Sequence, residues 1–472
     1  MHRPAPNAAC ELLGCRLPYV LAGMGGVSRS ELVAAVSNAG GFGFLGMVRE
    51  PIALIWREVE SLREQGYTRF GVNIIPAATD RSLLDQQIAT IIELHVPVVA
   101  LFWDIDVRVV ALLHDAGIVV TYQVGSVDEA VATERAGAEI IIAQGIEAGG
   151  HVRGTRRLAD LLPEIVNAVR VPVLAAGGLS TGGDLLTAQA LGADGIVLGS
   201  ALLATTESFA HAYHKDRLVA AEAGDTSLTD AFHINWPPGA PVRVLTSDVT
   251  DAKRRPANSA HRVVIGEDGR RPIYLFSTDS PLRSMTGDFA AMALYAGTGV
   301  GHTTAVAAAG ERLRAITSEA DELMASTEGD EIAELSSAVC YVGEATGAYA
   351  GLLDTDEAAS ELRALEATML QLLRANLTGA ENEPPFPNSS YTYAAWVAAL
   401  RQMAGTGASL GAGGAVAPAQ AILQRLSALL PRLPEGSIRR RLLRLRELIE
   451  AESVPSVAPT ASSSAARGAS DQ

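Results

Sequence analysis

The residues best suited to chemistry in this sequence sit at glycine turns that follow apolar runs. The densest group is Ala143-Gln144-Gly145-Ile146-Glu147-Ala148-Gly149-Gly150-His151, delivered by the run 139–143. Adjacent glycines allow backbone conformations and close approaches that a Cβ forbids. The histidine behind them is the side chain whose ordinary pKa lies nearest neutrality, which suits proton transfer beside a bound cofactor. A satisfied structural histidine is the plainer role, and the glycine pair at a strand end argues against it. Glu147 is a second acid–base candidate whose simpler task is to fix the loop. Gln144, and Asn73 in Phe70-Gly71-Val72-Asn73, carry amides that donate and accept, so either can read the heteroatom edge of a flat ring or serve as a turn residue.

Two more glycine turns follow later apolar runs: Ala176-Gly177-Gly178-Leu179-Ser180 and Val197-Leu198-Gly199-Ser200. Backbone N–H groups in such turns can point at a phosphate, helped by a helix N-terminus. Tight packing turns would also need glycine. Two such turns at successive strand ends favour the phosphate grip.

These turns need a scaffold, and the first 200 residues supply a regular one. Apolar runs recur at 19–24, 42–47, 70–75, 96–102, 118–124, 139–143, 171–176 and 195–198. Most are continuous, as expected of strands buried on both faces of a parallel sheet. Amphipathic helices are predicted between them, for example over 28–39, 80–94, 126–136 and 180–191. The first starts Ser-Arg-Ser-Glu, a capped opening, and Gly40, Gly117, Gly137 and Gly192 mark helix ends. The pattern predicts an α/β fold, a (β/α)8 TIM barrel, with an open doubly wound sheet as the alternative. The glycine turns then fall at the C-terminal strand ends, the catalytic face of such barrels.

The expected organisation is a barrel over 1–205, an added segment with closing helices over 206–328, a helical region over 329–451, and a disordered tail over 452–472. The closing part holds Tyr295-Ala296-Gly297-Thr298-Gly299-Val300-Gly301.

Composition narrows the classes of function. The chain has 472 residues, 48% of them hydrophobic, and a net charge of −16, which argues against a general nucleic-acid or anionic-membrane surface. No signal core or membrane-length apolar run is visible, so a cytoplasmic protein is expected. Cys10, Cys15 and Cys340 form neither a disulfide framework nor a metal pattern. His211 and His214 lie three apart without a third ligand, so no metal site is expected.

Together these segments resemble the nitronate monooxygenase family, also called 2-nitropropane dioxygenases. The matching pieces are Ala22-Gly23-Met24-Gly25-Gly26-Val27-Ser28, Ala34-Ala35-Val36-Ser37-Asn38-Ala39-Gly40-Gly41, Phe70-Gly71-Val72-Asn73, the Gln144-to-His151 segment, 174–207 and 295–301, within roughly 10–325. The resemblance implies an FMN-bearing barrel that oxidises alkyl nitronates or nitroalkanes with O2 to a carbonyl compound and nitrite. It implies that Met24, Asn73, Gln144 and Gly149 lie at the flavin. Gly178, Val197, Leu198, Gly199 and Ser200 would hold the flavin phosphate, and His151 would be the base. Two departures stand out: Ala201 replaces a usual arginine, and Asp104 stands where a glycine is common.

A flavin-dependent NAD(P)H enoyl-thioester reductase shares the Glu-Ala-Gly-Gly-His run but tends to carry an acidic residue at position 144; a related quinone reductase is a further alternative. A carrier- or partner-docked tailoring component is another alternative, with 329–451 as the surface for a protein partner or self-association. A flavin-free phosphate-binding barrel is the last.

Overall fold

The computed structural model describes residues 8–254 and 262–325, together with Ser427 and Leu443. The expected helical region 329–451 (those two residues aside), the tail 452–472 and Cys340 lie outside the described residues.

Eight parallel strands close into a barrel: β1 (Tyr19–Leu21), β2 (Phe42–Gly46), β3 (Gly71–Asn73), β4 (Val98–Phe102), β5 (Val119–Val124), β6 (Ile140–Gln144), then, after the two-residue β7 (Gly150–His151), β8 (Val173–Ala176) and β9 (Gly195–Leu198). β9 pairs back onto β1, with Val20 opposite Val197, so closure is direct and the open sheet is excluded. β2, β4 and β6 are buried along their whole length, which is why they read as unbroken apolar runs. Side chains alternate between two layers. Val20, Phe42, Phe44, Val98, Ile142 and Leu174 fill the interior, while Leu21, Leu45, Val72, Val99 and Ile141 meet the helices. Gly71 makes room for this filling, since a Cβ there would lie 2.3 Å from the Phe44 ring. Helix Ala8–Leu13 packs Ala9 and Leu13 against the interior cluster.

The helix-end signals have physical partners. Ser126 caps helix Val127–Ala136 by accepting from Glu129 N at 3.2 Å, and Gly137 ends it with φ 108. Asp80 caps Arg81–Glu93, and Thr181 with Asp184 forms a capping box on Gly182–Ala190. The expected serine cap near 28 is not formed. Helix Ser30–Asn38 has Arg29 at its N-cap with no side-chain bond. Ser28 Oγ instead donates to Ala22 O and accepts from Met24 N, bracing the turn after β1, while Ser30 binds the Glu58 carboxylate. That turn also shortens β1, because Met24 N donates back to Ala22 O.

Two small sheets follow the barrel strands. β10 (Thr226–Thr229) and β11 (Val242–Leu245) pair with β7, and β12 (Val264–Asp268) lies between β13 (Arg271–Tyr274) and β14 (Met285–Gly287). They share their own apolar cluster, which includes Val242, Val244, Ile273 and Leu294. The chain then returns to the barrel. Helix Ala309–Ala325 packs Leu313, Ile316 and Ala320 against helices Ser30–Asn38 and Gly182–Ala190, filling the eighth helical position. The residues that complete the barrel therefore extend past 205. Among the described residues, no helix is long and apolar enough to cross a membrane.

Candidate active site

The C-terminal strand ends open into a cavity of 1270 Å³, a volume suited to a nucleotide-sized ligand plus a small second molecule. Met24, Asn73, Gln144, Gly149, His151, Gly178, Val197, Gly199 and Ser200 all line it. Leu198 does not. Strand alternation turns its side chain into the layer between strands and helices, and its backbone oxygen accepts from Ala22 N.

His151 belongs to the added sheet and not to the barrel wall. β7 pairs antiparallel with β11, placing His151 opposite Val242. Gln144, at the end of β6, ties this strand to the barrel. Its Nε2 donates to His151 O at 2.9 Å and its Oε1 accepts from Arg153 N at 3.0 Å. Gln144 thus spends both ends of its amide on positioning the histidine loop, so that loop holds first claim on the amide expected at a flavin edge. Glu147 fixes the same loop by accepting from Leu158 N at 3.0 Å. Gly149 is required by close contact, since a Cβ there would stand 2.5 Å from Gly297 N.

The imidazole is enclosed by aromatic rings. Trp236 stacks on it with centroids 3.4 Å apart and planes 14° apart; Trp103 and Tyr295 lie at 6.3 and 5.9 Å. Its Nε2 is buried and has no hydrogen-bond partner among the described residues. An unpaired buried nitrogen costs about 1–3 kcal/mol, a cost that a ligand group on the cavity side can offset. Desolvation, and secondarily the positive charge of Arg49, push the His151 pKa down to about 3, so the ring is neutral at neutral pH.

Three non-glycine residues with left-handed backbone surround this ring: Arg49 (φ 59), Trp103 (φ 77) and Asn235 (φ 73). Each costs about 1–2 kcal/mol, and such strain gathers at functional sites. Arg49 Nη1 donates to Asn235 O, and its Nη2 to Thr278 Oγ1 at 3.4 Å. Tyr295 OH donates to Thr278 O at 2.8 Å. Asp104 holds Arg153 at 3.1 Å, and that guanidinium lies 4.9 Å over Trp103. The residue that departs from the common glycine therefore braces the aromatic wall.

The opposite end is built from backbone. Gly177 (φ 119) and Gly178 (φ 72) turn sharply after β8. Gly199, at the end of β9, has no heavy atom within 4 Å of the place a Cβ would take, and the same holds for Gly25 after β1. Ser200 Oγ accepts from Gly297 N at 2.8 Å, leaving its proton for an acceptor in the cavity. Ser180 Oγ donates to Gly299 O at 3.2 Å, so both turns are fastened to the closing segment. Ala201, in place of a common arginine, is buried on the cavity wall. Asn73 donates through Nδ2 to Ala100 O at 3.1 Å and keeps its carbonyl oxygen for a ligand N–H. This open, glycine-lined cradle with hydroxyl and amide groups has the donors to hold a phosphate and the edge of a flat ring.

Among the sequence candidates, Arg49, Trp236 and Tyr295 had no place. Arg49 stands three residues past the end of β2, the signal that could have found it. Trp236 and Tyr295 come from the added segment and reach His151 only through tertiary packing. His211 is the N-cap of helix Ala212–Val219, and His214 is fully buried with its ring nitrogens 3.1 Å from Tyr295 O and Ser280 Oγ.

The profile of the family described as Nitronate monooxygenase matches residues 50–321. A probable nitronate monooxygenase of Staphylococcus aureus (strain MRSA252) is 31% identical over 268 residues, 48% of this chain and 76% of that protein. Among solved structures, FabK from Thermotoga maritima is similar with a TM-score of 0.58 and 27% identity, covering 68% of this chain and 98% of that one. The nitroalkane oxidase from Streptomyces ansochromogenes has a TM-score of 0.54 and 30% identity, covering 67% and 98%.

Proposed function

The chain belongs to the nitronate monooxygenase family and is a flavin-dependent oxidoreductase; from that premise we propose that it binds FMN and oxidises alkyl nitronates with O2 to a carbonyl compound and nitrite. The observation that carries this reading is the neutral imidazole of His151, its Nε2 buried and unpartnered, on the wall of a cavity whose other end is a glycine cradle. FMN supplies the electron transfer from nitronate towards O2. Gly178, Gly199 and Ser200 hold its phosphate, and Met24, Asn73 and Gly149 flank its ring. His151 takes the proton from the carbon bearing the nitro group when the substrate arrives as a nitroalkane. Trp236 and Tyr295, on the cavity wall, keep water from the reacting carbon.

The reductase alternative meets a specific obstacle at position 144. An ionised carboxylate there could not donate to His151 O, as the Gln144 amide does. The histidine loop is therefore matched to the residue present.

Supplying ethylnitronate aerobically to the FMN-loaded protein tests the reading. Nitrite and acetaldehyde should appear in equal amounts as O2 is consumed, with no NAD(P)H requirement. Oxidation of NAD(P)H coupled to reduction of an enoyl thioester, without nitrite release from ethylnitronate, would replace this reading with the reductase.

A further inference from the structure

Proton transfer at His151 leaves unused the charge beside it. Arg49 stands on the cavity wall just past the end of β2. Its guanidinium donates only to neutral oxygens, Asn235 O and Thr278 Oγ1, and among the described residues no carboxylate lies within ion-pair distance of it. Arg271, also on the wall, is matched by Asp279 at 2.9 Å and Asp268 at 3.4 Å. Glu50, next in sequence to Arg49, is instead paired with Arg29 at 3.7 Å. Two routes connect Arg49 to the imidazole. Asn235 precedes Trp236, which stacks on His151, and the Thr278 carbonyl holds Tyr295, whose ring is 5.9 Å from it. A guanidinium held on a cavity wall without a counter-charge is a standing site for an anion.

We propose that Arg49 is the anion-holding residue of this cavity, binding the two-oxygen head of the nitronate. This deepens the nitronate reading above and rests on it. The planar guanidinium fork matches the two oxygens of a nitronate as it matches a carboxylate. The electrostatics agree. Removing a proton from a neutral nitroalkane creates an imidazolium next to Arg49, on a ring that already resists protonation. A nitronate needs no base and brings the charge that Arg49 lacks.

The test uses FMN-loaded protein with Arg49→Gly and Arg49→Lys. Glycine removes the charge and adopts the left-handed backbone of position 49 without strain, so folding is kept. Lysine keeps the charge. Three compounds separate the sources of an anionic head: ethylnitronate, neutral nitroethane, and propionate, which does not react. Binding is read from the shift of the bound flavin's absorbance as well as from turnover. Arg49→Gly should raise the ethylnitronate KM about tenfold or more, a loss of about 1.4 kcal/mol, with kcat within about threefold. Arg49→Lys should recover most of it, and the nitroethane KM should move less than about twofold. Propionate binding that weakens in parallel supports recognition of any two-oxygen head; propionate binding that does not change supports recognition of the nitronate alone. An unchanged ethylnitronate KM in Arg49→Gly, or an equal rise for nitroethane, overturns the proposal. If wild-type protein binds but does not turn over ethylnitronate, the nitronate reading has failed. Arg49 is then judged on binding alone: weaker binding of both anions in Arg49→Gly keeps the anion site, and unchanged binding removes it.

Discussion

The two ends of the cavity are built from different materials. At the end beyond β8 and β9 the walls are backbone: Gly177, Gly178 and Gly199, with Ser180 and Ser200 tied to Gly299 and Gly297. Apart from that closing segment, all of it comes from two consecutive strand–helix turns. At the imidazole end the walls are large side chains from separate stretches: Arg49 after β2, His151 on β7, and Trp236 and Tyr295 from the added segment, with Trp103 after β4 set edge-on to the imidazole outside the lining. The first end needs little more than local chain geometry, and its glycines serve by leaving space. The second needs tertiary packing, carries the strained backbone, and holds a guanidinium that has no carboxylate partner among the described residues. The turns after β8 and β9 thus line one end with backbone, while the added segment contributes Trp236 and Tyr295 to the other.

Removing the imidazole should have the largest effect and should touch one end only. His151→Asn should lower turnover of neutral nitroethane by about 10²–10⁴-fold, the usual worth of a general base, while FMN stays bound and ethylnitronate turnover falls by less than about tenfold. Steady-state rates with both substrates decide this, and an equal loss for the two would mean that His151 does not act as the base. The converse intervention fills the other end. Gly199→Leu should weaken FMN binding by about tenfold or more, about 1.4 kcal/mol, with the far-ultraviolet dichroism of the barrel unchanged. Wild-type flavin retention in that variant would move the cradle elsewhere.

A smaller effect belongs to the framework behind the imidazole end. His214 is fully buried, its Nε2 3.1 Å from Tyr295 O and its Nδ1 3.1 Å from Ser280 Oγ. Desolvation, chiefly, pushes its pKa down to about 4. The folded state therefore stays neutral where the unfolded chain takes a proton, so this stability is full above about pH 6.5 and is lost as pH falls towards about 4. At about pH 5 the loss from this group alone is about 2 kcal/mol. Urea midpoints near pH 7 and pH 5 should show it, and His214→Gln should lessen the difference by about half, since the desolvated His151 adds a loss of similar size and the same sign. An equally steep pH dependence in His214→Gln would assign the effect to other groups.

The same contrast explains what could be read from the sequence. The barrel was legible because strands buried on both faces leave unbroken apolar runs, and because Gly40, Gly117, Gly137 and Gly192 adopt the positive φ that helix ends require. The glycine turns after β8 and β9 were legible for the same local reason. The sequence could not show that Ser28 braces the turn after β1 instead of capping a helix, since either use satisfies a hydroxyl. Nor could it show that His151 pairs with Val242, or that helix Ala309–Ala325 returns to fill the eighth helical position. Those contacts join residues far apart in sequence and leave no periodic trace. Arg49 shows the cost: it stands beside the imidazole, yet in the sequence it is one arginine in a short loop.

The nature of the electron donor is tested most directly by anaerobic mixing of the FMN-loaded protein with ethylnitronate and, separately, with NADH, following the absorbance of oxidised flavin. A nitronate held between Arg49 and His151 predicts rapid loss of that absorbance with ethylnitronate and none with NADH. Bleaching by NADH with no response to ethylnitronate would contradict it.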